Sequence, residues 1–258
     1  MINEYEAICS KINNYDWHPS YDSFENKVYS LNIAITQDLD KIVNKITVNK
    51  QEIHLAYSGG VDSTIILFKL LKYNIPIFAH TIASSENHFD FIYAKKVLSS
   101  SNILSSVKHI PHILSVKEDD LIESNNILES NDKRPDNYYY LMRSILHYTQ
   151  SVINCDIIDE LLGGYYLHYG PNIPMFYDCL NKLIKDHLYI LNKISTHFNI
   201  EVFLPYGGDN FMHKCESFSF DELVGINQRK KPVYEIAKLC NIPEYIMERK
   251  KMGLVSAL

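Results

Sequence analysis

The chain of 258 residues is poor in glycine, with 9, and has a single tryptophan. It lacks a surplus of positive charge, because 25 Lys+Arg against 31 Asp+Glu leave a formal net charge of −6. Phosphate backbones are held by a basic surplus, so nucleic acid is not the expected partner. No apolar run approaches the roughly 20 residues of a membrane helix. Glu4 and Glu6 stand where a signal peptide would be basic and then apolar. The expectation is a cytoplasmic protein with no membrane partner. The cysteines at 9, 155, 179, 215 and 240 are odd in number and form no CxxC, which argues against a disulfide framework and a Cys-rich zinc site. His109 and His112 flank Pro111, which spoils them as a metal pair, and no GxSxG is present. At 46% hydrophobic and 22% charged residues, the composition is that of a folded chain, not a disordered one. It leaves the oligomeric state open.

Six of the few glycines stand in three adjacent pairs, Gly59-Gly60, Gly163-Gly164 and Gly207-Gly208. Random placement would give roughly 0.3 pairs, so each marks backbone that side chains cannot occupy. The first pair lies in Ser58-Gly59-Gly60-Val61-Asp62-Ser63, between the apolar run 53–57 and a helical pattern over 62–73. A strand, a glycine turn and a helix N-terminus aim backbone N–H groups at one point, which suits phosphate. Ser58 and Ser63 add hydroxyls, and Asp62 implies a cation such as Mg²⁺ between it and the phosphates. The loop lacks the GK[ST] ending of a Walker A loop and the GxGxxG of a dinucleotide site.

The second pair ends Cys155-Asp156-Ile157-Ile158-Asp159-Glu160-Leu161-Leu162-Gly163-Gly164-Tyr165, after a strand pattern at 151–155. Asp156, Asp159 and Glu160 crowd three carboxylates, which is costly unless a cation neutralises them. The alternative is a solvated helix start, which acids also favour.

The hexapeptide 58–63 resembles the pyrophosphate loop of the PP-loop ATP pyrophosphatases, which cleave ATP to AMP and pyrophosphate while adenylating a substrate. Asparagine, GMP and NAD synthetases and several tRNA-modifying enzymes share it. The segment 155–165 is similar to the asparagine synthetase branch, which includes β-lactam and lasso-peptide cyclases. On that pattern Asp156 falls on an acid position and Asp159 on a metal-ligand position, while Cys155 and Ile157 replace glycines and Ile158 a small residue. A basic segment, Gln228-Arg229-Lys230-Lys231-Pro232, and then Arg249-Lys250-Lys251-Met252-Gly253-Leu254 resemble the synthetase tail. Lys231 best fits its catalytic lysine, with Lys230 one residue away as the alternative; Glu235 stands where the family often has arginine. Pro205-Tyr206-Gly207-Gly208-Asp209 is given no role.

The resemblance spans roughly residues 50–254 and implies an adenine nucleotide alpha hydrolase-like fold. Residue periodicity points the same way. A helical stripe runs through Val28, Leu31, Ile35, Leu39, Ile42 and Ile46; strands are expected at 53–57, 75–81, 106–110 and 151–155; helices are expected near 62–73, 88–99, 115–129 and 137–149. Pro111 is expected to end the third strand, and the chain after 160 to be mostly helical. Alternating strands and helices predict an α/β, doubly wound parallel sheet with ligands at the strand C-termini. The organisation expected is an N-terminal helical extension over 1–50 followed by one domain over 51–258.

The implied function is an ATP-dependent ligase. It adenylates a small-molecule or peptide carboxylate and joins it to an amine or ammonia. The cofactors are ATP and Mg²⁺. Ser58, Gly59, Gly60, Val61, Asp62, Ser63 and Thr81 would bind nucleotide, Asp62 and Asp159 metal, and Lys231 and Asp156 would be catalytic. Two other readings are a sulfur-transfer enzyme using Cys155 and a nucleotide-binding protein without catalysis. The first fifty residues are too few for the glutaminase domain of asparagine synthetase and open with Met1-Ile2-Asn3 in place of its cysteine. Ammonia would then come from solution or from a separate glutaminase. Tyr138-Tyr139-Tyr140 is expected to serve packing more than base stacking.

Overall fold

A computed structural model describes residues 1–48, 51–100, 103, 105–115, 117–133, 135–165, 168, 172–225 and 228–249. The Lys250–Leu254 part of the tail motif lies outside them. Five strands, β1 Ile53–Ala56, β2 Ile77–Ala83, β3 Val107–Ile113, β4 Ser151–Ile153 and β5 Glu201–Phe203, form one all-parallel sheet in the order β3-β2-β1-β4-β5. The chain winds outward from β1 to β3, returns past β1 to β4, and winds outward the other way. The reversal between β1 and β4 is the switch point at which such sheets bind ligands. The α/β, doubly wound expectation is met.

Thirteen helices are described: α1 Tyr5–Asn13, α2 Phe24–Thr47, α3 Val61–Leu70, α4 Phe89–Leu98, α5 Glu118–Leu128, α6 Asn137–Ile145, α7 Ile158–Leu162, α8 Ile173–Lys182, α9 Tyr189–His197, α10 Asp209–Cys215, α11 Phe220–Leu223, α12 Lys231–Leu239 and α13 Glu244–Met247. A π-helical stretch, Leu183–Leu188, joins α8 to α9. The stripe on α2 is buried as the 3.6-residue period requires, and Leu31, Ile35 and Leu39 share one core with Leu55 of β1 and Ile65 of α3. The N-terminus reaches the sheet as well, because the Asn3 amide donates to the Val202 carbonyl at 2.8 Å. Residues 1–48 are thus packed into the same core as the sheet.

Two local expectations change. β3 does not stop at Pro111 but runs to Ile113, with Pro111 opposite Thr81. Proline is tolerated there because β3 is the edge strand and the missing N–H costs no ladder bond. The region after 160 contains β5 besides its helices. The third glycine pair is structural. A side chain on Gly208 would overlap Asp38, a buried carboxylate that accepts from the Phe211 amide and Asn210 Nδ2, both at 2.8 Å, and so holds the start of α10. No helix among the described residues is long and apolar enough to cross a membrane.

Candidate active site

The loop after β1 is packed as tightly as its glycines suggested. Gly59 has φ 67, and a Cβ there would lie 2.5 Å from the Ala94 amide nitrogen of α4. Gly60 caps α3, and its carbonyl accepts the hydroxyls of Ser63 at 3.2 Å and Thr64 at 2.7 Å. Arg249, just beyond α13 with its side chain covered, donates from Nη1 to the Ser58 carbonyl at 2.8 Å and ion-pairs with the buried Asp90.

The segment after β4 folds back toward that loop. Ile157 adopts φ 86 ahead of α7, a conformation unusual for a β-branched residue. Gly163, at φ 72, closes α7. Gly164 lies beneath the stem of Lys230, so any side chain at 164 would overlap both Lys230 and Asp159. Arg229 Nη1 donates to the Gly164 carbonyl at 2.6 Å.

Lys230 is where the two segments meet. It is 3% exposed, in the left-handed conformation at φ 51. Its ammonium stands 2.8 and 2.7 Å from the two carboxylate oxygens of Asp62 and also ion-pairs with Asp159. Tyr206, fully buried on the short turn Pro205–Gly207, donates its hydroxyl to the Asp62 carbonyl at 2.9 Å and props up that residue's backbone.

These residues wall one cleft of about 560 Å³ at the switch point. Ser58, Gly60, Val61, Asp62, Ser63, Asp156, Asp159, Lys230 and Arg249 line it. The cleft is also lined by Asp136, Glu160, Tyr138, Tyr165, His187, Leu141, Ile157 and Ile190. Tyr138 donates to Asp156 at 3.0 Å, and Tyr165 to Glu160 at 2.5 Å. Both phenols are pushed above their usual range, Tyr138 by burial and then by the Asp156 carboxylate, Tyr165 by burial and then by Glu160. His187 Nδ1 is 3.3 Å from Glu160, and the bond between them raises the imidazole above its ordinary value.

Three expected site residues are placed differently. Lys231 is not in the cleft: it opens α12, and its ammonium donates to the Asp221 carbonyl at 2.6 Å. The left-handed turn at Lys230 sends the two neighbouring side chains apart. Thr81 is fully buried, with its hydroxyl donating to the Tyr57 carbonyl at 2.8 Å and lying 3.0 Å from His109 Nε2, so it braces the strand end from behind. Gly59 faces α4 and is not among the lining residues. Cys155 lines the cleft, but burial, reinforced by the Asp62 and Asp156 carboxylates, pushes its thiol well above the ordinary value. Sulfur transfer needs a thiolate, which this setting disfavours. Of the tyrosine run, Tyr138 faces the cleft, while Tyr139 and Tyr140 are core.

Sequence reasoning gave Tyr206 no role and did not mark Asp90, and it placed Arg249 in the tail motif without a contact to the loop. It also missed a row of imidazoles beneath the loop, two of them, His54 and His80, buried. His54 Nδ1 lies 2.8 Å from His80 Nε2, and His80 Nδ1 lies 3.0 Å from His112 Nε2, across β1, β2 and β3. Desolvation, with repulsion from the neighbouring imidazoles, lowers His80 to about 3.

The donor set fits Mg²⁺. Two carboxylates, Asp62 and Asp159, already share one cation, the Lys230 ammonium. Among the described residues no three His, Cys, Asp or Glu side chains converge on one metal position. A pair of carboxylates suits a magnesium ion whose remaining ligands are waters and substrate phosphates.

No family model matches the chain, and no curated protein does. Among solved structures, NMN synthetase from Francisella tularensis is similar to it at 14% identity and a TM-score of 0.42, over 89% of this chain and 76% of that one.

Proposed function

We propose that the protein is an ATP-dependent, AMP-forming ligase of the PP-loop, asparagine synthetase-like type. One observation carries the reading: Lys230 draws Asp62 of the loop after β1 and Asp159 of the turn after β4 to one point of the switch-point cleft. In the reaction a substrate carboxylate oxygen attacks the α-phosphorus of ATP. The bond from that phosphorus to the bridging oxygen breaks, and pyrophosphate leaves. An amine nitrogen then attacks the acyl carbon, AMP departs, and the nitrogen loses a proton.

The residues divide this work by charge. The Ser58–Ser63 loop presents backbone N–H groups and hydroxyls to the departing pyrophosphate. Mg²⁺ held by Asp62 and Asp159 would supply further positive charge there. Lys230, not Lys231, takes the catalytic lysine's place and neutralises charge developing at the phosphoryl or acyl centre. Asp156, which lines the cleft beside Tyr138, orients the amine and accepts its proton. The carboxylates Asp136, Asp156 and Glu160 attract a cationic amine, and Leu141, Ile157 and Ile190 offer a surface to its carbon body. The upward push on the Cys155 thiol counts against the sulfur-transfer reading.

The test is incubation with ATP, Mg²⁺ and a panel of carboxylic acids and amines, with mass detection of products. AMP, pyrophosphate and an acyl-adenylate or amide are expected. ADP and phosphate as the only nucleotide products would overturn the reading.

A further inference from the structure

We infer that Lys230 is itself the cation of the Asp62–Asp159 site until nucleotide arrives, so that the protein binds no free divalent metal and admits it only together with ATP. The inference rests on the ligase reading for the identity of the nucleotide.

The geometry is that of an occupied cation position. The ammonium is within 2.8 Å of both Asp62 oxygens and is paired with Asp159 at the same time, while Lys230 is 3% exposed. A divalent ion taking those carboxylates would leave the ammonium a few ångströms away. Two cations that close repel strongly where water is scarce. An uncompensated buried charge is among the costliest defects a fold can carry. Free Mg²⁺ also gives up hydration water reluctantly. The exchange therefore needs a new anionic partner for Lys230, and a nucleotide phosphate supplies one as it delivers the metal. The carboxylates trade an ammonium for a metal, and the ammonium trades carboxylates for phosphoryl oxygens. Gly164 leaves room for the motion, because it places no side chain under the lysine stem. The residue that guards the site in the empty protein is thereby released to the reacting phosphate only when substrate is present.

The probe is Mn²⁺, whose free concentration is read by electron paramagnetic resonance. Wild-type protein alone should retain no measurable Mn²⁺, and with α,β-methylene-ATP it should retain about one per chain. Lys230→Met should bind Mn²⁺ without nucleotide at least tenfold more tightly than wild type, and adding Asp62→Asn should abolish that binding. Should Lys230→Met be unstable alone, its melting temperature should rise with Mn²⁺ while that of the double variant does not. Wild-type protein that binds Mn²⁺ as tightly without the analogue as with it overturns the inference. So does a Lys230→Met protein whose Mn²⁺ affinity and melting temperature match wild type. Failure of the analogue to bind wild type would sink the ligase reading alone, since Mn²⁺ binding by Lys230→Met needs no nucleotide.

Discussion

The turn after β1 and the turn after β4 are the two walls of the switch point, and they are built on opposite principles. Each follows a buried strand, opens a helix and delivers an aspartate to Lys230. The first bends through glycine at φ 67, because the backbone of α4 fills the space where a side chain would go. The second bends through Ile157 at φ 86, a conformation that costs a non-glycine residue about 1–3 kcal/mol. It is stable because the Ile157 side chain is buried, 1% exposed, with its Cδ1 against Gly207 of the turn Pro205–Gly207. One wall is shaped by the absence of a side chain, the other by the burial of one. A positive φ is thus set by what surrounds the residue, and glycine is only one way to reach it.

The sharpest way to break this pairing is at Gly59. Alanine there faces both a left-handed φ and the Ala94 backbone, which cannot move out of the way as a side chain would. Gly59→Ala should cost about 3–5 kcal/mol or prevent folding, well above the loss for an ordinary surface glycine. Urea denaturation measures it, and a loss under about 1 kcal/mol would mean that α4 yields. Next in size is the point where the walls meet. Lys230→Ala should lower turnover by about 10²-fold or more, as for other groups that act on developing charge. Lys231→Ala should stay within about threefold of wild type, since its ammonium donates to the Asp221 carbonyl, outside the cleft. The reverse order in steady-state rates would return the catalytic role to Lys231.

That adjacent pair also marks the limit of what the sequence carries. The β1 loop was legible because an apolar run, a glycine pair and a helix pattern each have a local physical cause. The acidic turn was legible because three carboxylates in five residues demand neutralisation. The choice between Lys230 and Lys231 was not, since it hangs on a single left-handed residue that spacing cannot reveal. Thr81 is expected to bind nucleotide, yet strand side chains alternate and this one turns its hydroxyl to the Tyr57 carbonyl. β5 is only three residues long, too short for a periodicity to stand out from its helical surroundings. Tyr206 and Arg249 reach the loop from far along the chain, and although Arg249 stands in the tail motif, which atoms meet at that range is decided by packing.

The two halves of the sheet differ again beneath the turns. β4 carries Val152 and Ile153 in the core, whereas β1, β2 and β3 carry the imidazoles His54, His80 and His112. Burial holds His80 at about 3 against an ordinary 6.5 and lowers His109 and His112 as well. The neutral rings belong to the folded state, so the unfolded chain takes up their protons first. The stability that His80 contributes is whole above about pH 6.5 and is lost as the pH falls toward about 3, by about 1.4 kcal/mol per pH unit. Denaturation between pH 7.5 and 4.5 should show this decline, and His80→Phe should remove about one proton from its slope. An unchanged slope would mean that His80 is charged in the folded protein.

The smallest effect bears most directly on the contrast between the walls. Ile157 contributes two opposed quantities: a strained backbone and a buried side chain. Alanine at 157 removes the side chain, about 2–5 kcal/mol for a buried isoleucine, but keeps the Cβ that makes φ 86 costly. Glycine removes the same contacts and one methyl more, yet relieves the backbone, for which positive φ carries little penalty. In a helix interior glycine would be the worse choice by about 1 kcal/mol, whereas Ile157 is the N-cap of α7, a position that already prefers glycine to alanine. Here the order should invert, with Ile157→Gly more stable than Ile157→Ala by about 1 kcal/mol and both less stable than wild type. Paired urea titrations resolve a difference of that size. Alanine ahead of glycine would show that the turn after β4 carries no strain at Ile157, and that the two walls are less different than their backbones suggest.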